Sequence, residues 1–570
     1  MAIGQTSSPD APGGIQLPLL TPSLNLTHIG KTIEPNGIVY TKRWVVDLLL
    51  DLTDYCPEKD LANTLAIEPA AGDGAFLGPM VERLVESCRN HGRPLSGCLH
   101  SIIAYELNEE SAARSRAVIH EILLKHGVEK PFATRLAEAW IRNGDYLFDG
   151  VSQEADFIIG NPPYIRLEDI PEETASIYRH TYPTMKGRAD LYVAFFEAAL
   201  RQLKPNGVCG FICADRWMRN QYGAELRQLI TSIYSVDIIL SMHDADAFHD
   251  EVDAYPAITI IRRKKQQATV VAKADQQAEN VESDRLASMF KTMRLDLLPH
   301  GVHGAVVDTW FKGSDPWPCH SPEQLTLLRR LEEQYPALEL HAKVGIGVAT
   351  GNDRIYITKD TDIVEPSRLL KLALAKDVAG GILQWSGHYL VNPWDEDGLV
   401  DLNMYPKLKA YYEYHEDTLR RRHTAEKNVQ DWYKTIDRVN HSLIQTPKLY
   451  IPDIKNSLEP VLDRGETYPH HNLYFIQSNE RDLEVLGGLL MSRIGRFFVE
   501  SYGVRMRGGY LRFQAQYLRR IRVPVPQSLS QLQRNELREA FRRRDKARAT
   551  HITLDLYGVS TGMLEAALGH

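Results

Sequence analysis

From Asn36 to about Arg262, short apolar runs alternate with helical patterns, and no other property of the chain limits its fold so tightly. "TLAIEPAAGDGAF" reads as a strand entering a glycine-rich turn, "GPMVERLVESCRN" as a helix, "SIIAYELN" as a strand and "EESAARSRAVIHEILLKH" as a helix. "ADFIIGNPPY" and "GVCGFICAD" read as further strands, with the helical "LYVAFFEAALRQL" between them. Strands separated by helix-length segments cannot pair as hairpins, so they run parallel, with the helices laid on the sheet faces. The expectation is an α/β, Rossmann-like, doubly wound and mostly parallel sheet. Ligands of such sheets bind beyond the carboxyl ends of the strands, so the residues where each strand stops become the candidates.

A length of 570 residues allows two or three cores, and a hydrophobic fraction of 43% with 25% charged residues is ordinary for a globular chain. Residues 1–30, rich in Pro, Gly, Ser and Thr, read as a flexible arm. The sheet domain is expected over 31–265, a polar linker or surface insertion over 266–290, and a mixed α+β domain over 291–570. In that last part "KVGIGVATGNDRIYIT" reads as strand, turn, strand. The opening carries no basic start followed by an apolar run, and no stretch approaches the roughly 20 apolar residues that span a bilayer, so the cytoplasm is the expected location. The six cysteines lack CxxC spacing, and neither a disulfide framework nor a metal site is expected.

Gly72 and Gly74 lie between a strand and a helix, where missing side chains let backbone approach a ligand. The next strand ends in Glu106, an acid placed to accept hydrogen bonds from ribose hydroxyls, and the next strand region ends in Asp145 beside Tyr146. With neither a GxGxxG nor a GKS/T loop present, this set suits an uncharged adenosine better than a pyrophosphate. The fourth strand stops at Asn161, Pro162, Pro163 and Tyr164. Two prolines fix the turn and remove two N–H groups, so acceptors dominate the local polar surface. The Asn161 side-chain oxygen and the Pro162 carbonyl can accept both hydrogens of an exocyclic amine, while Tyr164 offers a stacking face.

These stretches resemble the S-adenosylmethionine-dependent DNA adenine-N6 methyltransferases of restriction-modification systems, in the gamma arrangement with a C-terminal target-recognition domain. The resemblance covers about residues 36–262. "GIVYTKRWV" is similar to the family's N-terminal cofactor segment, implying roles for Tyr40 and Thr41, although Lys42 stands where the family usually has proline. "EPAAGDGAFL" is similar to the cofactor loop, implying contacts near Glu68, Ala70, Gly72 and Gly74. The resemblance further implies Glu106 on the ribose, Asp145 and Tyr146 near the cofactor's adenine, and Phe195 of "GRADLYVAFFEAAL" against that ring. It assigns Asn161 and Pro162 to the target amine, Pro163 to the cofactor side and Tyr164 to the base. Phe248 in "DADAFHDEVDAYPAITII" is the candidate for the opposite face of the base, with Tyr255 its competitor. N6 is paired and stacked in duplex DNA, so the target must be flipped out.

The formal charge of −8 is unevenly spread: residues 491–550 hold 15 Lys and Arg against four acids, leaving the remainder near −19. A polyanion is therefore expected at the C-terminal end, with Arg505, Arg507, Arg512, Arg519 and Arg520 as candidates for contact with double-stranded DNA. The resemblance leaves room for a separately encoded restriction endonuclease as partner. Cytosine-N4 or RNA methylation uses the same kind of turn, and a DNA-binding regulator that kept the fold without activity is the reading from another class.

Overall fold

The computed structural model describes residues 40–150, 153–249, 255–308, 310–317, 321–426, 429–503 and 511–568. Two compact units divide the chain, Met1–Pro322 and Glu323–His570.

The first unit is built on nine strands: β1 (Ala66–Glu68), β2 (Ile102–Glu106), β3 (Ile141–Asn143), β4 (Ala155–Gly160), β5 (Leu203–Ala214), β6 (Ser235–Asp244), β7 (Pro256–Arg262), β8 (Thr269–Asp275) and β9 (Val302–Val307). Their order is β3-β2-β1-β4-β5-β7-β6-β8-β9. The pairs from β3 to β5 are parallel, and β7 inserts antiparallel between β5 and β6. This is the doubly wound, mostly parallel sheet expected from the alternation of strands and helices. The strand order reverses between β1 and β4, so their carboxyl ends flank the crevice where a ligand of this fold binds.

Among the described residues nine helices accompany the sheet: α1 (Arg43–Leu52), α2 (Leu77–Asn90), α3 (Glu109–Lys125), α4 (Lys130–Trp140), α5 (Tyr146–Asp149), α6 (Glu172–Thr181), α7 (Tyr192–Gln202), α8 (Ala224–Ile233) and α9 (Ser283–Lys291). In α2 the buried Leu77, Met80, Val81, Leu84, Val85 and Cys88 recur at the spacing of one helix face. Asn108 starts α3 by accepting from the Ser111 N–H at 3.0 Å, with Glu109 and Glu110 in the first turn complementing the helix dipole. Helix α1 lies so close to β5 that a Cβ on Gly210 would sit 2.3 Å from Thr53 Cγ2.

The segment expected as a linker, 266–290, is instead structural. It carries β8, paired parallel with β6, then α9, and the sheet closes only at β9. Glutamine- and lysine-rich flanks hide this strand in the sequence, because only the "TVVAKA" core between them is buried.

Among its described residues the second unit holds two four-stranded sheets, a two-stranded pairing of Ile454–Lys455 with Leu511–Arg512, and a helical layer. "KVGIGVATGNDRIYIT" does not form one hairpin. Lys343–Ile346 pairs antiparallel with Leu473–Gln477, and Ile357–Thr358 pairs with Tyr389–Val391 in the other sheet. Among the described residues no helix is long and apolar enough to cross a membrane.

Candidate active site

At the carboxyl end of β1 the chain turns through Gly72 (φ +52°) and Gly74 (φ +90°), a backbone region that penalises any side chain. A Cβ on Gly72 would meet nothing within 4 Å, so this backbone borders open space. The turn is tied down from two sides. Ser115 Oγ donates to the Gly72 carbonyl at 2.7 Å, and the Gly72 N–H donates to Glu106 Oε2 at 2.8 Å. The other oxygen of Glu106 accepts from the Asn108 N–H at 2.7 Å. Burial lifts the Glu106 carboxyl above its ordinary pKa, against those two backbone N–H groups.

Glu68, the last residue of β1, is 1% exposed, and its Oε2 is a buried acceptor with no hydrogen-bond partner among the described residues. Burial, reinforced by the neighbouring Glu106 charge, pushes its carboxyl well above the normal range. Ala70 follows it at the head of the glycine turn. Tyr40 reaches the same turn from the N-terminal segment, donating its hydroxyl to Asp73 at 2.9 Å, and Arg114 holds the other Asp73 oxygen at 2.8 Å.

Asp145 caps α5 and is engaged on both oxygens, accepting from the Leu147 N–H at 2.9 Å and from the Tyr178 hydroxyl at 2.5 Å. Burial raises its pKa to about 6, the two donors notwithstanding. Tyr178 was invisible to the sequence reading; it arrives on α6, with its ring stacked on Phe148 at 5.0 Å. Tyr146 is a core residue: 1% exposed, it donates to Gln202 Oε1 at 2.9 Å and packs on Phe195 with 5.6 Å between ring centres.

The turn at the end of β4 stands beside this crevice because β4 is β1's neighbour. A Cβ on Gly160 would touch Pro69 Cδ at 3.3 Å, which fixes the turn against the β1 loop. Asn161 donates its amide N–H to Thr41 Oγ1 at 3.2 Å. Thr41 is also bridged, antiparallel, to Phe248, with Lys42 N–H donating to the Ala247 carbonyl and His249 N–H to that of Tyr40. One short backbone pairing therefore brings the Tyr40–Lys42 segment, Asn161 and Phe248 together. The sequence, in which 207 positions separate Thr41 from Phe248, gives no sign of it. The Tyr164 and Phe248 rings are 6.4 Å apart and nearly perpendicular, at 83°. Tyr255, the competitor, packs on His243 at 4.9 Å.

Comparison with known proteins decides the family. Residues 106–248 match the model of the Eco57I restriction-modification methylases. The chain is 42% identical over 534 residues to the Type II methyltransferase M.XhoI of Xanthomonas vasicola, covering 92% of this chain and 98% of that one. The chain belongs to the Type II restriction-modification methyltransferases. A second such methyltransferase, M.PaeR7I of Pseudomonas aeruginosa, is 40% identical over 536 residues, covering 93% of this chain and 92% of the relative. The Type IIL restriction-modification enzyme MmeI, solved in complex with DNA, shares the fold with a TM-score of 0.54 at 14% identity, over 92% of this chain and 73% of its own.

Three of the five candidate C-terminal arginines of this methyltransferase have internal partners. Arg512 reaches Asp453 at 3.4 Å, Arg519 donates to the Val344 carbonyl at 3.0 Å, and Arg520 pairs with Glu332 at 3.3 Å. Arg505 and Arg507 lie outside the described residues. No metal centre was expected, yet one grouping of competent ligands exists among the described residues: Asp353 with His470 and His471, the His470 Nε2 being 3.2 Å from the Asp353 carboxylate.

Proposed function

We propose that this methyltransferase transfers a methyl group from S-adenosylmethionine to the N6 amine of an adenine flipped out of duplex DNA, at a short specific sequence, as the modification partner of a separately encoded restriction endonuclease. The observation that supports the reading is the Asn161-Pro162 turn, which follows β4 beside β1, with Asn161 bonded to Thr41 and Thr41 bridged to Phe248. Because the Asn161 amide N–H is spent on Thr41, its oxygen is turned toward the other side, where it can accept from an amine beside the Pro162 carbonyl. Two acceptors stabilise the positive charge that develops on an aromatic amine as it attacks. The proton leaves after attack, so no strong base is required.

The crevice fits the cofactor. Glu68 Oε2 lacks a hydrogen-bond partner and Glu106 lies next to it, so a cationic amine entering there relieves both the missing bond and the like-charge repulsion. Gly72 leaves the approach open and Glu106 retains lone pairs for ribose hydroxyls. When bound, the cofactor supplies a methyl group on a positively charged sulfur. Flipping costs a few kcal/mol, and each base–aromatic stack returns about 1–3 kcal/mol. A base between Tyr164 and Phe248 needs two contacts of about 3.5–4 Å each, so one of the two rings turns flat as the base enters.

The test incubates the protein and its Asn161→Ala variant with unmethylated genomic DNA and S-adenosylmethionine and maps modified bases by single-molecule sequencing. Methyladenine at one recurring sequence, lost in the variant while cofactor affinity is kept, is the expected result. Methylcytosine at that sequence transfers the same cradle to cytosine-N4, and substantial turnover by the variant overturns the role of Asn161.

A further inference from the structure

A cavity of about 510 Å³ opens in the catalytic unit beside the Asn-Pro-Pro-Tyr turn, and its walls carry Arg166, Arg179, Arg188 and Arg216 together with Asp190 and Tyr222. Only Ile165 separates Arg166 from Tyr164 in sequence. The wall and the base pocket are also joined through side chains: the Tyr192 ring lies 6.5 Å from that of Tyr164, and its hydroxyl shares a 2.6 Å hydrogen bond with Tyr222. Among the described residues no carboxylate comes within 4 Å of Arg166, Arg188 or Arg216, whereas arginines such as Arg219, Arg263, Arg520 and Arg542 have such a partner. Arg179 donates to the Gly187 carbonyl at 3.0 Å, which holds the loop that presents Arg188.

Burial raises the Asp190 carboxyl, against the opposing influence of the Tyr192 and Tyr222 hydroxyls and of the Arg216 and Arg166 charges. Glu168 and Glu172 also line the cavity, but both are exposed. Planar guanidinium forks that converge without internal partners match phosphate oxygens, which they bind bidentately.

We propose that this cleft grips backbone phosphates of the DNA strand that carries the target base, with Arg166, Arg188 and Arg216 as the phosphate ligands. The inference rests on the DNA reading above and adds a second basic surface, outside the C-terminal run where the sequence concentrates its positive charge. A flipped nucleotide stays covalently attached to its neighbours, so a pocket that receives the base needs a path for the backbone at its rim. The cleft lies at that rim.

The test measures binding of a fluorescent random-sequence duplex to the full chain across a KCl series, for the wild type and the triple Arg166→Gln/Arg188→Gln/Arg216→Gln variant, with S-adenosylmethionine affinity as the check on folding. Each neutralised phosphate contributes about 0.9 to the slope of log K against log salt. The triple variant is expected to lose about 2.7 in slope and at least roughly tenfold in affinity, with cofactor affinity within about twofold of the wild type. If the triple variant fails to bind cofactor, the single Arg188→Gln variant, altered at an exposed position, is expected to lose about one in slope. An unchanged slope in whichever variant retains cofactor binding overturns the cleft. Absence of methyl transfer to DNA by the wild type overturns the functional reading instead, and that arm is read separately from the slopes.

Discussion

The crevice and cleft residues of the catalytic unit and the arginines of the C-terminal helical layer commit their charged side chains differently, although the catalytic unit also holds buried pairs such as Arg219 with Asp215. In the catalytic unit, charges at the ends of strands are left without internal partners: Glu68 Oε2 is buried and unbonded, and Arg166, Arg188 and Arg216 converge on a cavity with no carboxylate in ion-pair range among the described residues. In the C-terminal unit the charges meet one another. Arg520 and Arg522 converge on Glu332, Arg542 on Glu484, and the fully buried Lys448 pairs with Asp463 at 2.9 Å. A buried pair of that kind costs its desolvation and returns mainly specificity of structure. An uncompensated buried carboxylate costs as much and returns nothing to the fold, so its retention points to a ligand. Density of charge in a sequence therefore says nothing of internal pairing, which decides what each charge costs the fold.

Glu68→Gln tests this contrast with the largest expected effect. Removing a carboxylate that neutralises a bound cation should weaken S-adenosylmethionine binding by about 2–5 kcal/mol, at least roughly thirtyfold in Kd. The same change should stabilise the free protein, because a buried group that disfavours its own charge is replaced by a neutral one. Calorimetry and thermal melting read the two effects together. A variant that binds cofactor normally, or that melts lower than the wild type, would break the contrast.

Asp145 offers a smaller effect from a carboxyl whose partners are internal. Its pKa is raised from 3.8 to about 6 by burial. Between those values the folded protein holds a proton that the unfolded chain has released, so its contribution to stability falls as pH rises through the window and is fully lost above about 6. The full difference is about 3 kcal/mol, at 1.36 kcal/mol per pKa unit. Denaturation of the wild type and Asp145→Asn at a series of pH values should show the difference between them growing from pH 4 to pH 6 and then levelling, while a constant difference would mean that Asp145 ionises normally.

Much of the fold was legible because helix and strand periodicities are local. β1, β2, β4 and β5 and helices α2, α3 and α7 all fall on stretches whose patterns announce them. The individual motifs of the site were legible for the same reason, each occupying the end of one strand. What closes the site was not. The Thr41 to Phe248 bridge and the Tyr178 to Asp145 bond join residues far apart in the chain, and each uses a residue with no distinctive local signal. β8 was missed because its polar flanks outweigh a short apolar core, so composition averaged over 266–290 reads as linker. The internal partners of the C-terminal arginines were hidden by the same averaging: a window of sequence counts Arg520 but leaves out Glu332, which lies 188 positions away.

Arg520 itself gives the smallest effect and the sharpest form of the comparison. Its guanidinium lies over the Tyr502 ring at 4.2 Å and pairs with Glu332, which also accepts from the Tyr502 hydroxyl at 2.7 Å. A charge so placed serves the packing of the helical layer, and the Glu332 carboxylate offsets much of what it would present to a phosphate. Arg520→Gln should remove about 0.5–2 kcal/mol of cation–π and ion-pair stabilisation, lowering the melting temperature by about 1–8 °C for a unit of this size. Its effect on the salt slope of DNA binding should be well below the value of about 0.9 for a lost phosphate contact. A full unit of slope lost with an unchanged melting temperature would show that Arg520 turns outward to DNA, and that internal pairing in the free protein does not predict which arginines a phosphate backbone recruits.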